Sequence, residues 1–355
     1  MRILRSWRGA FPLVLVAACV ATAIVVAPAA SKPAEHQKRA LIRVTFLEDF
    51  FESDAHAGIW AAKDKGYWEQ QGLDVAVSPG AGSGSTVQQV AAGNYTFGYA
   101  NAFVMAQQVT KGADVLAVAS PAPFFGGGVL YWADKGINTP KDLEGKTYIG
   151  VPSGFVDQLL PLFAKNANFD LSKVNVKALD PTAGFALFAS HQADAVSGDK
   201  VQILLTPPFN GNLPKVFLFS DYGINPLGFS VIVNSRQVRA YPGLVQKFVT
   251  GLLKGWNWAC GNPRAAVTNM RTHYTATLPF ETSLQRWVQF CAYGRVPDNK
   301  TQAFGWMPLS NWQTTVKLIR DNPAFGGAQN VPPAKTLYTN RFVEIANVAK
   351  PRPKK

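Results

Sequence analysis

Residues 79–101 read PGAGSGSTVQQVAAGNYTFGYAN, a glycine-serine turn, a short helix and an apolar strand. Gly80, Gly82 and Gly84 free the backbone for positive φ and for close approach to a ligand. Ser83, Ser85 or Thr86 can cap a helix predicted over Thr86–Ala92, and Gly93 ends it. A helix start presents N–H groups without intrahelical partners and a partial positive charge, which suits an anion or a carbonyl oxygen. The strand expected at Tyr95–Ala100 delivers Asn101 to its carboxyl end, where open α/β sheets hold ligands. This stretch therefore reads as one half of a small-molecule cleft.

Outward from it, LIRVTF at 41–46 reads as a first strand and Leu47–Asp54 as the loop after it. An amphipathic helix is predicted over His56–Gln71, with Ile59, Trp60, Tyr67 and Trp68 at helical spacing, followed by a strand at Leu73–Ser78. A helix at Phe103–Lys111 and a strand at Asp114–Ser120 continue the alternation, which predicts a mostly parallel, doubly wound sheet. Pro121-Ala122-Pro123 and Gly126-Gly127-Gly128 break that pattern, and the chain is expected to cross into a second lobe at Val129–Ala133. There a strand at Thr147–Val151 leads through Ser153 and Gly154 into a helix over Phe155–Asn166. Strand Val174–Leu179, a helix to His191 and strand Ala193–Ser197 follow, with Gly198-Asp199-Lys200 at the last strand's end. VAAGNYTFGYAN and FASHQADAVSGD share a layout of helix end, polar turn and strand, which suggests a pseudo-repeat. Phe229–Val233 is expected to return the chain to the first lobe, and the helical pattern from Tyr241 onward to cover that lobe's outside. The expected division is lobe 1 at 41–128 and 228–345, lobe 2 at 129–227, and a basic tail at 346–355.

The 355 residues are 47% hydrophobic and 16% charged, enough apolar material for two domains with sizeable cores. Arg2, Arg5 and Arg8, the apolar run Gly9–Val26 and Ala27-Pro28-Ala29-Ala30 read as a secretory signal peptide over 1–30. An uncleaved anchor is the alternative, and lipid attachment at Cys19 is disfavoured because the apolar run continues past it. The net charge of +13 falls to +10 without the three arginines of residues 1–30, and Lys350, Arg352, Lys354 and Lys355 crowd the tail. That terminal basicity lacks the aromatic-interleaved stripe of a nucleic-acid binder, so no nucleic acid is expected as a partner. In an oxidising compartment Cys260 and Cys291 are a disulfide candidate, the alternative being two buried thiols. Gly145-Lys146-Thr147 is no phosphate loop, because Pro140 occupies the position where the leading glycine is needed. There is no Gly-x-Ser-x-Gly elbow and no Cys-x-x-Cys pair, and neither a metal nor a cofactor is expected.

AHAGIWAAKDKGYWEQQGLDVAV at 55–77, followed by GSGSTVQQVAAGNYTFGYAN, resembles the substrate-binding proteins of bacterial ABC importers, specifically their NMT1/THI5-like branch. The resemblance spans roughly residues 41–345. It implies a type II periplasmic-binding-protein fold of two doubly wound α/β lobes with a double-crossover hinge and C-terminal helices on lobe 1. It also implies a monomer in the periplasm, a small-molecule ligand, an ABC permease and its ATPase as partners, and capture by lobe closure without chemistry. The ligand would be pyrimidine-like, a sulfonate or an aromatic acid. The family's ligand positions fall on Phe50, Phe51, Asp54 and His56, on Ser83, Ser85 and Thr86, on Asn101, and on Ser153, Gly154 and Phe155. Phe124 beside the crossover and Asp199 at a strand end join them from the reading of the residues. Each has a structural alternative: His56 and Thr86 as helix caps, a phenylalanine turned to the core, Asp199 paired with Lys200. The pyrimidine-synthesising enzymes of the same superfamily carry a cysteine-rich motif that this chain lacks, which disfavours the enzymatic alternative. A module that presents ligand to a membrane receptor is the other.

Overall fold

A computed structural model describes residues 40–49, 54–150, 155–205, 209–274, 278–294, 303–321 and 331–348. The 1–30 leader and the 346–355 tail, apart from 346–348, lie outside them. Ala40–Lys355 forms one compact unit.

Among the described residues, ten strands form two five-stranded sheets. The first contains β1 (Ile42–Leu47), β2 (Leu73–Ser78), β3 (Phe97–Asn101), β4 (Val115–Ala122) and β10 (Phe229–Asn234) in the order β2-β1-β3-β10-β4. The second contains β5 (Gly127–Tyr131), β6 (Thr147–Gly150), β7 (Asn175–Ala178), β8 (Ala195–Asp199) and β9 (Lys215–Leu218) in the order β7-β6-β8-β5-β9. The two orders are the same pattern. Three strands run parallel, β2-β1-β3 in one sheet and β7-β6-β8 in the other. The strand that arrives by a crossover, β10 or β5, then inserts antiparallel. The pseudo-repeat holds at this level, since β3 and β8 occupy the same place in their sheets. Each sheet is thus built on the doubly wound plan that the family resemblance implies.

Between the strands lie α1 (Ala57–Asp64), α2 (Ser83–Ala91), α3 (Ala102–Thr110), α4 (Phe155–Asn166) and α5 (Pro181–Ala189), and α6 (Ser235–Ala240) follows the last strand. The C-terminal helices are α7 (Pro242–Gly261), α8 (Pro263–Met270), α9 (Phe280–Ala292), α10 (Leu309–Asp321) and α11 (Arg341–Ala346). Pro242 opens α7, where a missing N–H costs nothing. Val245, Phe248, Val249, Leu252, Leu253 and Trp256 recur along one α7 stripe and pack with Phe46, Trp68 and Phe97 from the first sheet and α1 side. Cys260 of α7 and Cys291 of α9 form a disulfide. A second apolar cluster runs from Phe103 and Ala106 of α3 through Phe125, Ile224 and Leu227 of the crossovers into β5 and α4.

Several boundaries differ from the sequence reading. The helix expected over His56–Gln71 is a short 3-10 turn, then α1, then a second 3-10 turn at Glu69–Gln71. Gly66 sits at φ 66 between them, a left-handed position where an α-helix ends. α2 begins at Ser83 rather than Thr86 because Gly82, at φ 107, takes the N-cap place. β3 begins at Phe97 rather than Tyr95, since Gly93 at φ 81 opens a turn that uses up the residues before it.

Candidate functional site

The parallel strands of the first sheet, that of lobe 1, end at Leu47, Ser78 and Asn101, and the connections after them interlock. The Gly82 N–H donates to the Asp49 carbonyl at 2.8 Å. The Thr86 hydroxyl donates to the Glu48 carbonyl at 2.8 Å. Gly80 passes so close that a Cβ there would stand 2.0 Å from the Glu48 carbonyl oxygen. Ser83 Oγ accepts the Asn101 N–H at 3.0 Å. Asn101 Oδ1 accepts the N–H groups of Phe103 and Val104 at 3.0 and 3.3 Å, capping α3. The first turn of α2 leads into this rim with N–H groups that have no intrahelical acceptor.

Under the rim lies a charge cluster. His56 is 1% exposed, with Nε2 at 2.8 Å from Asp49 Oδ1 and Nδ1 at 3.3 Å from Glu48 Oε1. Burial opposes a charged imidazole, but the facing Glu48 and Asp49 carboxylates outweigh it and push the His56 pKa up to about 10. His56 is therefore an imidazolium at neutral pH. Two carboxylates face one cation, and neither Glu48 carboxylate oxygen accepts a hydrogen bond from the described residues. Tyr99 on β3 packs edge-on to His56, and burial followed by the charge of Asp49 pushes its phenol well above the usual range.

In lobe 2 the strands end at Gly150 and Asp199. The Tyr148 hydroxyl donates to Asp157 Oδ1 of α4 at 2.7 Å. A Cβ on Gly150 would lie 2.6 Å from that same oxygen. Asp199 Oδ1 accepts the Val201 N–H at 3.0 Å and the Tyr293 hydroxyl at 2.5 Å. Burial pushes the Asp199 carboxyl above the ordinary range, although both donors pull the other way.

The structure thus places Ser83, Ser85 and Asn101 at one strand-end rim, with Thr86 and His56 buried behind it, and Phe124 and Asp199 where the two sheets join. Two of these are not placed as the sequence reading has them. Thr86 is fully buried with its hydroxyl on Glu48, because α2 starts a turn earlier and carries it inward. His56 lies beneath the rim, locked between carboxylates, rather than on its surface. Phe50, Phe51, Ser153 and Gly154 lie outside the described residues, as do the side chains of Asp54 and Phe155. Sequence reasoning missed Glu48, Asp49, Tyr148, Asp157 and Tyr293. The signal for the first pair was present, an acidic doublet at a strand end just before a histidine that opens a helix. Among the described residues, one groove lies where α10 meets Pro333–Lys335 and another where α10 meets Pro161 and Leu162 of α4, and no strand end lines either.

A family model described as NMT1/THI5 like matches residues 53–266. A Brucella abortus (strain 2308) protein with a provisional name as a binding protein is 33% identical over 155 residues, 43% of this chain and 46% of that protein. The chain thus matches less than half the length of that relative. The formylaminopyrimidine-binding protein of Halalkalibacterium halodurans is 23% identical over 290 residues, 79% of this chain and 85% of its own. Among solved structures, the alkanesulfonate-binding protein SsuA from Xanthomonas axonopodis pv. citri, bound to MOPS, is similar at TM-score 0.59 and 16% identity, covering 85% of this chain and 99% of that one.

Proposed function

The chain belongs to the NMT1/THI5-like family, and on that premise we propose that it is an extracytoplasmic solute-binding protein of an ABC importer. It captures a small organic molecule between two lobes and hands it to a permease driven by an ATPase, without chemistry of its own. The observation that carries this reading is the twin strand order, which gives both lobes a rim of strand ends and helix starts built the same way. A ligand that touches both rims biases the closed arrangement, because only there are both sets of contacts made. Residues 1–30 would direct export.

The described rim residues favour one ligand class. Beneath the lobe-1 rim the Glu48 and Asp49 carboxylates outnumber His56, and Asp157 of α4 lies beside the end of β6. An acceptor-rich neighbourhood of this kind, in which Asp49 is the partly exposed member, suits a molecule that donates N–H groups, as an amino-substituted pyrimidine does. The relative named for formylaminopyrimidine supports the same class. A second reading, a sulfonate or carboxylate, draws on the α2 N-terminus, whose N–H groups suit an anion.

Thermal-shift and calorimetric titration of the purified chain against aminopyrimidines, alkanesulfonates, nitrate and aromatic acids tests the proposal. Stabilisation by about 2.7 kcal/mol is expected at a hundredfold excess over Kd. Turnover of a bound compound would overturn the binding-only reading, and a tighter sulfonate would overturn the N–H donor preference.

A further inference from the structure

The first crossover and the end of α9 meet where the lobes join. α9 is a lobe-1 element, tied to α7 by the disulfide and by the Trp287 indole N–H, which donates to the Ala259 carbonyl at 3.1 Å. Its last turn presents Tyr293, 5% exposed, whose hydroxyl reaches across to Asp199 of lobe 2 at 2.5 Å. The Tyr293 carbonyl accepts the Phe124 N–H at 3.2 Å, and the two rings lie 5.0 Å apart. Gly126, two residues further along the crossover, runs beneath the pair. A Cβ there would stand 2.1 Å from the Tyr293 hydroxyl and 2.7 Å from Asp199 Oδ2. The Gly126 carbonyl also accepts the Lys200 N–H at 2.9 Å, so crossover and strand end are held as one piece.

The second crossover is fixed at its lobe-1 end by different contacts. The Leu227 N–H donates to the Thr315 hydroxyl of α10 at 3.0 Å, and the Gly228 N–H to the Pro123 carbonyl at 2.8 Å. Both crossovers are thereby anchored on lobe 1. The rotation left to lobe 2 begins beyond these anchors, and Tyr293 is a lobe-1 side chain that reaches past them to a strand end of lobe 2.

We propose that the Tyr293–Asp199 hydrogen bond is a hinge latch, holding the lobes at the angle seen here, and that its release sets how readily they swing. The inference rests on the two-lobe capture reading. A hydroxyl bonded to a partly buried carboxylate is among the stronger side-chain hydrogen bonds, and a difference of that size shifts a two-state population by tenfold or more. The latch lies beside the pivot, so it acts on the lobe angle while the strand-end rims do the gripping.

The test needs no ligand. Labels at exposed Lys254 of α7 and exposed Lys177 of β7, attached without cysteine chemistry so that the disulfide is untouched, report the interlobe distance by single-molecule energy transfer. Tyr293→Phe, which keeps the ring and removes the hydroxyl, should raise the fraction of molecules outside the wild-type distance about tenfold. Gly126→Ala, which wedges a methyl between the partners, should give the same shift, and it decides the matter if the first variant fails to fold. A distance distribution unchanged in the folded variants overturns the latch. Failure of every tested solute to bind would sink the capture reading instead, and would leave the distance result standing.

Discussion

At His56 the balance of effects is set by charge rather than by burial. Desolvation alone would strip the proton from an imidazole 1% exposed, yet Glu48 and Asp49 keep it on up to about pH 10. The native pKa lies above the unfolded value near 6.5, so the folded state binds this proton more tightly. The resulting stabilisation is fully present below about pH 6.5 and is lost as pH rises through about 10. Thermal unfolding of wild type against His56→Ala should therefore differ most at neutral and acidic pH and converge in alkali. At neutral pH the variant should be less stable by about 3–5 kcal/mol, the scale for stranding a buried carboxylate pair. A difference that grew with pH would contradict the assignment. Gly80 offers a second test at this scale. With a Cβ position 2.0 Å from the Glu48 carbonyl, Gly80→Ala must push the two strand-end loops apart. It should cost about 1–3 kcal/mol of stability and weaken ligand binding, as denaturant titration and calorimetry would show.

Among the elements, α7 and α9 depend on their staple. The Cys260–Cys291 bridge closes a separation of 31 residues, for which loop-closure entropy gives about 3–4 kcal/mol. The oxidised chain should outlast the reduced one in guanidinium by that amount, and equal midpoints would show that the bridge contributes nothing to the native state. The partners were visible in the sequence as a pair, while the choice between bridge and thiols needed the helices placed side by side. Helix ends were legible where glycine punctuates them, as at Gly93 and Gly112. The break after α1 was not, because apolar spacing carries through Trp68 while Gly66 turns the backbone. α4 lies where its pattern puts it, at Phe155–Asn166.

For the whole molecule, alternation of strand and helix was enough to read two doubly wound lobes, and the return of Phe229–Val233 to the first sheet followed from its apolar run after a glycine. The antiparallel insertion of β5 and β10 was hidden, since strand direction leaves no mark in a period-two pattern. The rim was legible in part for the same physical reason. Glycine and serine at helix starts announce themselves locally. Tyr293, by contrast, meets Asp199 across a separation of 94 residues, which no local pattern records. Two lobes closing on a small molecule is the claim on which the functional account stands. Small-angle scattering of the whole chain during titration with the tightest solute from the binding panel tests it most directly. The account predicts a saturable fall in the radius of gyration that tracks occupancy, with the solute recovered unchanged. Binding that leaves the radius constant, or a solute recovered as product, would contradict it.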